Sequence, residues 1–307
     1  MTAQQITGQR IVVVGATGRV AKPLSISLAA AGNEVIGAAR FTDEAARAEL
    51  EAAGVTCATV DLYRGDLDQL PTEGVDVVLN LAVAQSGRWP TDLRINAESA
   101  GEVLARVRPG RFLHCSTTGV YAPKGHEPMA ETDALGDNHA VMMPTYSISK
   151  IAAETVVRTV ARIHDVPTTI ARLNVPYGDG HGWPAFHLLM MQAGQPVPVH
   201  VDGPTEYTPI HDVDILRTLP ALLDAATVPA TIVNWAGSER VSVEDWCTYL
   251  GELTGLTPTF ERTDQCLESV VADATLLESM AGPSTIPWRE GFRRLVETSF
   301  PDLLVER

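Results

Sequence analysis

The sequence predicts an α/β fold, a doubly wound parallel sheet of about seven strands with a smaller C-terminal substrate lobe. Two observations predict it. Short β-branched runs alternate with helical segments through the first half of the chain, and a glycine-rich turn separates the first run from the first helix. Past residue 173 the alternation loosens, so the second half is expected to be smaller and less regular.

The strands are predicted from apolar, β-branched runs bounded by turn residues. They are Arg10–Val14, Glu34–Ala39, Val55–Val60, Val75–Leu81, Arg111–Cys115, Thr168–Leu173 and Thr231–Trp235. Strands that alternate with helices over these distances indicate a parallel sheet.

The helices are predicted from apolar residues that recur on one face, as Val20, Leu24 and Leu28 do after the first strand. Thr42 and Gly54 are read as the N-cap and C-terminal stop of the next helix. The other helices are expected near Asp92–Val107, Tyr146–His164, Phe186–Met191, Val243–Leu253 (opened by the capping-box pair Ser242 and Asp245) and Trp288–Glu297.

Composition excludes several classes of protein. The net charge of −15 would repel nucleic acid and anionic membranes, and 45% hydrophobic residues is too apolar for disorder. The N-terminus lacks the apolar core of a signal peptide, and no apolar run approaches the roughly 20 residues that span a bilayer. The four cysteines form no metal-binding spacing and are expected to be buried free thiols, so a cytoplasmic location is expected.

A dinucleotide site is predicted at Gly15-Ala16-Thr17-Gly18-Arg19-Val20-Ala21, between the first strand and its helix. Two glycines let the backbone turn tightly and approach a pyrophosphate, whose charge the helix N-terminus stabilises. The small Ala21 takes the place of the third glycine. This context, strand then loop then helix, is typical of the Rossmann fold.

The second strand ends at Arg40, where an NAD-preferring site places an acidic residue against the ribose. A guanidinium there suits the 2′-phosphate of NADP, and Arg19 is a second candidate partner. NADP is therefore the expected cofactor, with NAD as the alternative. Solvent-facing arginines without a ligand remain the simpler interpretation of both residues.

The reactive pair is predicted to be Tyr146 and Lys150, four residues apart and hence on one helix face. A phenol with a pKa of about 10 is a weak acid at neutral pH. A nearby ammonium is expected to lower that pKa towards the working range. Only three lysines occur in the chain, so this spacing is unlikely to be accidental.

The motifs together resemble the extended short-chain dehydrogenases/reductases of the NAD-dependent epimerase/dehydratase group, over nearly the whole chain. The matching segments are Gly15-x-x-Gly18-x-x-Ala21, Asp61-Leu62, Asn80-Leu81-Ala82, Ser116-Thr117-Thr118-Gly119-Val120-Tyr121, Tyr146-x-x-x-Lys150, Arg172 followed by Tyr177-Gly178, and Ile210-His211-Asp212-Val213-Asp214.

The resemblance implies a role for each matching residue. Thr117 would hydrogen-bond the substrate oxygen, Tyr146 would move the proton, and Lys150 would hold the nicotinamide ribose. Asp61 and Leu62 would border the adenine, and Leu81 and Ala82 would line the cofactor path. It also implies a dinucleotide domain over residues 1–173, rejoined by about 205–236, a substrate lobe over 174–204 and 237–307, and a homodimer.

The substrate region departs from relatives that act on nucleotide-diphosphate sugars. Val175 and Tyr207 stand where those enzymes carry Asn and Arg, and no Lys or Arg occurs from Leu173 through Leu216. Arg240 or Arg262 could supply the missing cation. The predicted pocket residues are Thr118, Asn174, His181, Trp183, His187 and Tyr207, and no metal is expected.

Three functions are compatible with these motifs. An NADP(H)-dependent oxidoreductase acting on a small or medium non-nucleotide carbonyl or alcohol is the leading hypothesis. A nucleotide-sugar epimerase or dehydratase is the alternative. A non-enzymatic dinucleotide sensor is disfavoured, because Thr117, Tyr146 and Lys150 are all retained.

Overall fold

The computed structural model describes residues 6–305, which divide into two compact units. The first unit holds the described residues up to Val120, Met143–Arg172 and Leu216–Val233. The second holds Tyr121–Met142, Leu173–Ile215 and the described residues from Asn234 onward. These units differ from the expected lobes mainly at residues 121–142 and 205–215, which lie in the second unit.

The bounds of the elements are as follows. The strands are β1 (Arg10–Val14), β2 (Glu34–Ala39), β3 (Thr56–Thr59), β4 (Val77–Asn80), β5 (Arg111–Thr117), β6 (Thr168–Leu173), β7 (Pro176–Tyr177), β8 (Val197–His200), β9 (Glu206–Tyr207), β10 (Ile210–His211), β11 (Thr231–Trp235), β12 (Val241–Ser242) and β13 (Phe260–Thr263). The helices are α1 (Ala21–Ala30), α2 (Glu44–Ala52), α3 (Trp89–Asp92), α4 (Ser99–Val107), α5 (Tyr146–His164), α6 (Trp183–Gln192), α7 (Asp212–Asp224), α8 (Val243–Thr254), α9 (Thr275–Ala281) and α10 (Trp288–Ser299), with a π-helical turn at Leu93–Glu98 and 3₁₀ turns at Thr118–Val120 and Pro301–Leu303.

The predicted doubly wound sheet is confirmed. Seven strands form one sheet in the order β11-β6-β5-β4-β1-β2-β3, and β1 pairs in parallel with both β2 and β4. The strand order reverses between β1 and β4, and in open α/β sheets ligands bind at the carboxyl ends of the strands at such a point. The apolar residues of the central strands β1 and β4 are fully buried, as parallel strands covered on both sides require.

Two of the helix predictions were wrong, one in its N-cap residue and one in its continuity. Asp43, not Thr42, caps α2, because its carboxylate accepts hydrogen bonds from the backbone N–H groups of Ala45 and Ala46. The single helix predicted over Asp92–Val107 is instead interrupted by the π-helical turn. The capping of α8 by Ser242 is confirmed, since its hydroxyl accepts from the N–H of Asp245.

The second unit is built around aromatic side chains. Tyr207 stacks on Trp246 with ring centroids 6.0 Å apart, and Trp183 meets the Tyr207 ring edge-on at 5.0 Å. Short strand pairs, β7 with β10, β9 with β12 and β8 with β13, replace a continuous sheet. This agrees with the irregular second half expected from the sequence.

Two further expectations concern the state of the cysteines and the presence of a membrane-spanning helix. All four cysteines are free thiols, but Cys57 and Cys115 are half-buried rather than buried. Within residues 6–305, no helix combines the length and the apolar character that crossing a membrane requires.

Candidate active site

The glycine turn after β1 has a conformation that only glycine satisfies. Gly15 has a φ of +84°, and a Cβ built on it would lie 2.7 Å from the Cα of Ala82, the second residue after β4. The N–H of Gly15 donates to the carbonyl of Ala38, and the N–H of Gly18 donates to Gly15, both at 2.8 Å. The turn therefore brings backbone, without side chains, to the edge where the strand order reverses.

The start of α1 suits an anion. No acidic residue occupies its first turn, and Thr17, Gly18 and Arg19 are exposed while Val20, the N-cap residue, is half-buried. The N-terminal end of a helix carries partial positive charge and free N–H groups. The tight turn that only glycine allows at position 15 and this helix start together fit the pyrophosphate of a dinucleotide.

The other predicted cofactor residues lie at the same carboxyl edge. Arg40 directly follows β2 and is exposed. Asp61, after β3, accepts from the N–H groups of Tyr63 and Arg64 at 3.0 and 3.1 Å, which fixes the turn that carries Leu62. The N–H of Leu81 donates to the carbonyl of Val14 at 3.0 Å and holds the chain leading to Ala82 beside β1.

The three predicted catalytic residues lie together in the first unit. Thr117 ends β5, Tyr146 begins α5, and their side chains are hydrogen-bonded to each other. Lys150 is 2% exposed, and its ammonium donates to the carbonyl of Cys115 on β5 at 2.6 Å. The Thr117 hydroxyl also accepts from the N–H of Gly119 at 3.1 Å, which orients it.

The expected lowering of the Tyr146 pKa is not found. Burial raises the pKa of Tyr146 to about 12, and the hydrogen bond from Thr117 opposes this shift only in part. The Lys150 ammonium is bonded to a carbonyl, and burial lowers its own pKa. Desolvation of the phenolate therefore outweighs the stabilisation expected from Lys150, and Tyr146 is a protonated phenol at neutral pH.

A buried ion pair that the sequence did not predict lies one turn beyond Lys150. Arg172 donates to both carboxylate oxygens of Glu154, at 3.0 and 2.8 Å, and Ser116 donates to the same carboxylate at 2.6 Å. These bonds tie α5 to β5 and β6. The spacing Tyr146, Lys150, Glu154 was a usable signal, because steps of four residues stay on one helix face.

Thr118 follows Thr117 in the 3₁₀ turn and is 3% exposed. Three of the pocket residues predicted in the second unit, Asn174, His187 and Tyr207, are buried. The Asn174 amide accepts from the N–H of Thr208 and donates to the carbonyl of Val270. His187 accepts from the indole of Trp246 at 2.9 Å, and the Tyr207 hydroxyl donates to the carbonyl of Glu268.

The two remaining pocket residues are half-buried in the second unit. Nε2 of His181 lies 2.7 Å from a carboxylate oxygen of Asp212, and Trp183 packs against Tyr207. Contact of any of these side chains with substrate stays a prediction. Residue-type arguments could not separate core from pocket here, because aromatic and methionine side chains serve both.

Known proteins resemble the chain in sequence and in fold. A dTDP-6-deoxy-L-talose 4-dehydrogenase (NAD(P)⁺) of Kitasatospora kifunensis is 29% identical over 74% of this chain and 72% of its own length. A trifunctional UDP-glucose 4,6-dehydratase/UDP-4-keto-6-deoxy-D-glucose 3,5-epimerase/UDP-4-keto-L-rhamnose-reductase of Arabidopsis thaliana is 27% identical over 64% of this chain but only 30% of its own length.

Among solved structures, a UDP-glucose 4-epimerase of Thermotoga maritima with UDP-glucose superposes with a TM-score of 0.80. It is 18% identical, over 94% of this chain and 98% of the epimerase, so it supports the fold alone. The profile described as the NAD dependent epimerase/dehydratase family matches residues 11–234, across the glycine turn, Thr117, Tyr146 and Lys150. The chain is therefore an NAD(P)-dependent enzyme of the extended short-chain dehydrogenase/reductase type and belongs to the NAD dependent epimerase/dehydratase family.

Proposed function

We propose that the protein interconverts a hydroxyl group and a carbonyl group on a nucleotide-linked sugar with a nicotinamide dinucleotide. The hydrogen-bonded pair Thr117 and Tyr146 beside Lys150 carries the redox part of the proposal. The substrate class is supported by the relatives, whose names place them on dTDP- and UDP-linked sugars. The proposal thus keeps the oxidoreductase chemistry of the leading hypothesis and takes its substrate class from the alternative, a nucleotide-sugar epimerase or dehydratase, in place of the small non-nucleotide carbonyl.

The side chains divide the proton chemistry between them. A bound dinucleotide would supply the hydride donor or acceptor. Thr117 and Tyr146 would hydrogen-bond the substrate oxygen, and Tyr146, protonated at neutral pH, would donate its proton to that oxygen as a carbonyl becomes an alcohol. In the opposite direction the phenolate, which a pKa of about 12 makes scarce at neutral pH, would take the hydroxyl proton.

We further propose that NADP is the preferred form of the cofactor. The exposed guanidinium of Arg40 stands at the end of β2, where a carboxylate would otherwise bond the ribose hydroxyl. The exposed Arg19 in the glycine turn is a second candidate for the 2′-phosphate. The name of the Kitasatospora relative admits both NAD and NADP.

A non-nucleotide carbonyl remains the second candidate, because Arg240 and Arg262, the two arginines that could bind a diphosphate, already have partners. Arg240 is paired with both carboxylate oxygens of Glu206. Arg262 donates to the carbonyl of His200 at 3.2 Å and lies 3.8 Å from the carboxylate of Glu244. Releasing either arginine for a diphosphate would break an existing bond.

Calorimetry with UDP, GDP and dTDP separates the two candidates. The nucleotide-sugar proposal predicts a dissociation constant in the micromolar range for at least one of them. This corresponds to a binding free energy of about −8 kcal/mol. Millimolar binding of all three, with NADPH-dependent reduction of aromatic or alicyclic ketones, would instead establish the second candidate. Native mass spectrometry would distinguish an epimerase from a reductase. An epimerase is expected to retain its cofactor through purification, whereas a reductase is expected to exchange it.

A homodimer and a cytoplasmic location stay predictions. Ile148 and Ile163 on α5 are exposed, at 39% and 70%. Two apolar side chains on the helix that carries Tyr146 are compatible with self-association. Light scattering after size exclusion would measure the mass directly, and a mass near 33 kDa, that of one chain, would exclude the dimer.

A further inference from the structure

Asp92, at the end of α3, has a carboxylate with no exposure to solvent. It accepts four hydrogen bonds. Three come from the segment after β4, namely the N–H and hydroxyl of Ser86 at 3.0 and 2.7 Å and the N–H of Gly87 at 3.1 Å. The fourth comes from the hydroxyl of Thr145 at 2.5 Å. One buried carboxylate therefore joins this segment to the residue before Tyr146.

Asn96 repeats this arrangement one turn further along. Its amide accepts from the N–H of Ala84 at 2.7 Å and donates to the carbonyl of Ala84 at 2.9 Å. The same amide donates to the hydroxyl of Ser149 at 2.9 Å. Ser149 directly precedes Lys150, as Thr145 precedes Tyr146. The π-helical turn Leu93–Glu98 directly follows Asp92 and contains Asn96, and such turns occur often at functional sites.

The hydroxyl of Thr145 has a local alternative that it does not use. Thr145 is the N-cap residue of α5, where a threonine hydroxyl ordinarily accepts from the backbone N–H two or three residues on. No such bond forms. The hydroxyl instead donates to Asp92, 53 positions away in sequence. The start of α5 is thus held by a long-range bond to a buried charge.

We propose that Asp92 is a positioning residue that, through Thr145, sets where Tyr146 and Lys150 stand relative to the dinucleotide site. Lys150 reaches across to the carbonyl of Cys115, so a small shift of α5 moves its ammonium. Interactions with a ligand are sensitive to displacements of about 1 Å. Hydrogen bonds from Thr145, Ser86 and Gly87 lower the pKa of Asp92 although burial opposes this, so the charge persists at neutral pH.

The test measures the dissociation constants of NADPH and NADH by fluorescence titration. Thr145→Val removes the hydroxyl but leaves Asp92 its three bonds to Ser86 and Gly87. We expect it to weaken binding by about fivefold or more, whereas Thr145→Ser, which keeps the hydroxyl, stays within about twofold. Thr155→Val is the matched control, because Thr155 is exposed on the same helix and its hydroxyl donates to the carbonyl of Ile151, within that helix.

A double-mutant cycle separates positioning from general loss of stability. If Thr145 acts through Lys150, Thr145→Val should change cofactor affinity by less than about twofold in the Lys150→Ala background. An equal loss in both backgrounds, wild-type affinity of Thr145→Val, or an equal loss in Thr155→Val would each overturn the inference. Asp92→Asn is the second variant, expected to weaken binding at least as much as Thr145→Val.

These measurements use the cofactor alone. Failure of nucleotide sugars to bind would therefore contradict the proposed function and leave the role of Asp92 intact. Absence of coupling between Thr145 and Lys150 would contradict the role of Asp92 and leave the proposed function intact.

Discussion

The two units of the chain use buried polar groups in different ways. In the first unit, buried charged side chains surround α5, and Asp92, Glu154 and Arg172 bond the side chains of other elements. In the second unit, Asn174 and Tyr207 are equally buried but bond backbone carbonyls and N–H groups of their own unit. Aromatic side chains pack around Tyr207 in the core of the second unit.

The difference shows what each set of bonds holds in place. Bonds in the first unit fix a helix that presents Tyr146 and Lys150, so loss of one bond should alter chemistry or ligand affinity. Bonds in the second unit satisfy polar backbone groups in a region without a continuous sheet. Loss of one of these should reduce stability while leaving chemistry largely unchanged.

The sharpest test of this comparison makes the same change in both units. Tyr146→Phe keeps the ring but removes the proton donor, so turnover should fall by roughly 10²–10⁴ with cofactor binding retained. Tyr207→Phe removes only a bond to the carbonyl of Glu268 and should cost about 1 kcal/mol in the free energy of unfolding. Steady-state kinetics and urea denaturation measure the two effects. A collapse of turnover in stable Tyr207→Phe would make Tyr207 a substrate contact.

Breaking one ion pair in each unit should give the next largest contrast. Arg172→Met leaves the Glu154 carboxylate buried without its partner and should lower the free energy of unfolding by about 3–5 kcal/mol. Arg240→Met breaks a partly exposed pair with Glu206 and should cost about 1 kcal/mol or less. Denaturation monitored by circular dichroism compares them, and equal losses would remove the proposed distinction.

The cofactor preference should depend on the first unit alone. NADPH should bind at least about tenfold more tightly than NADH, a difference of about 1.4 kcal/mol. Arg40→Asp should shrink or reverse this ratio. Arg289→Asp is the control, because Arg289 is an exposed arginine of the second unit. Equal affinity of the wild-type protein for both cofactors in a fluorescence titration would refute the role of Arg40.

The smallest expected effect is a pH dependence of stability. The pKa of Asp92 is lowered in the folded protein. The contribution of Asp92 to the free energy of unfolding is therefore complete above the ordinary carboxyl range near pH 4 and is lost as the pH falls further. The difference in unfolding free energy between wild type and Asp92→Asn should therefore narrow between about pH 5 and pH 2. Glu206, whose pKa is also lowered, provides the comparison in the second unit through Glu206→Gln. A difference that stays constant with pH would show that Asp92 is not stabilised as a charge.

Regular elements of the first unit were predictable because their signals are local. The bounds of β1, β2, β6, β11 and α5 follow from β-branched runs and apolar periodicity, and the structure reproduces them residue for residue. The glycine turn was predictable for a similar reason. The φ of +84° at Gly15 restricts that position to glycine, so the requirement is visible in a single residue. The spacing of Tyr146 and Lys150 likewise needs only helix geometry.

The sequence by itself determined which residues could carry a dinucleotide turn and a Tyr/Lys pair, because both are patterns within one strand–turn–helix or one helix. Only the tertiary structure decided the protonation of Tyr146, the partner of Thr145 and the burial of Asn174 and Tyr207. Each depends on desolvation or on a hydrogen bond between segments far apart in the chain. Desolvation and long-range hydrogen bonds arise when the elements pack against one another. The periodicity of a single element therefore does not predict them.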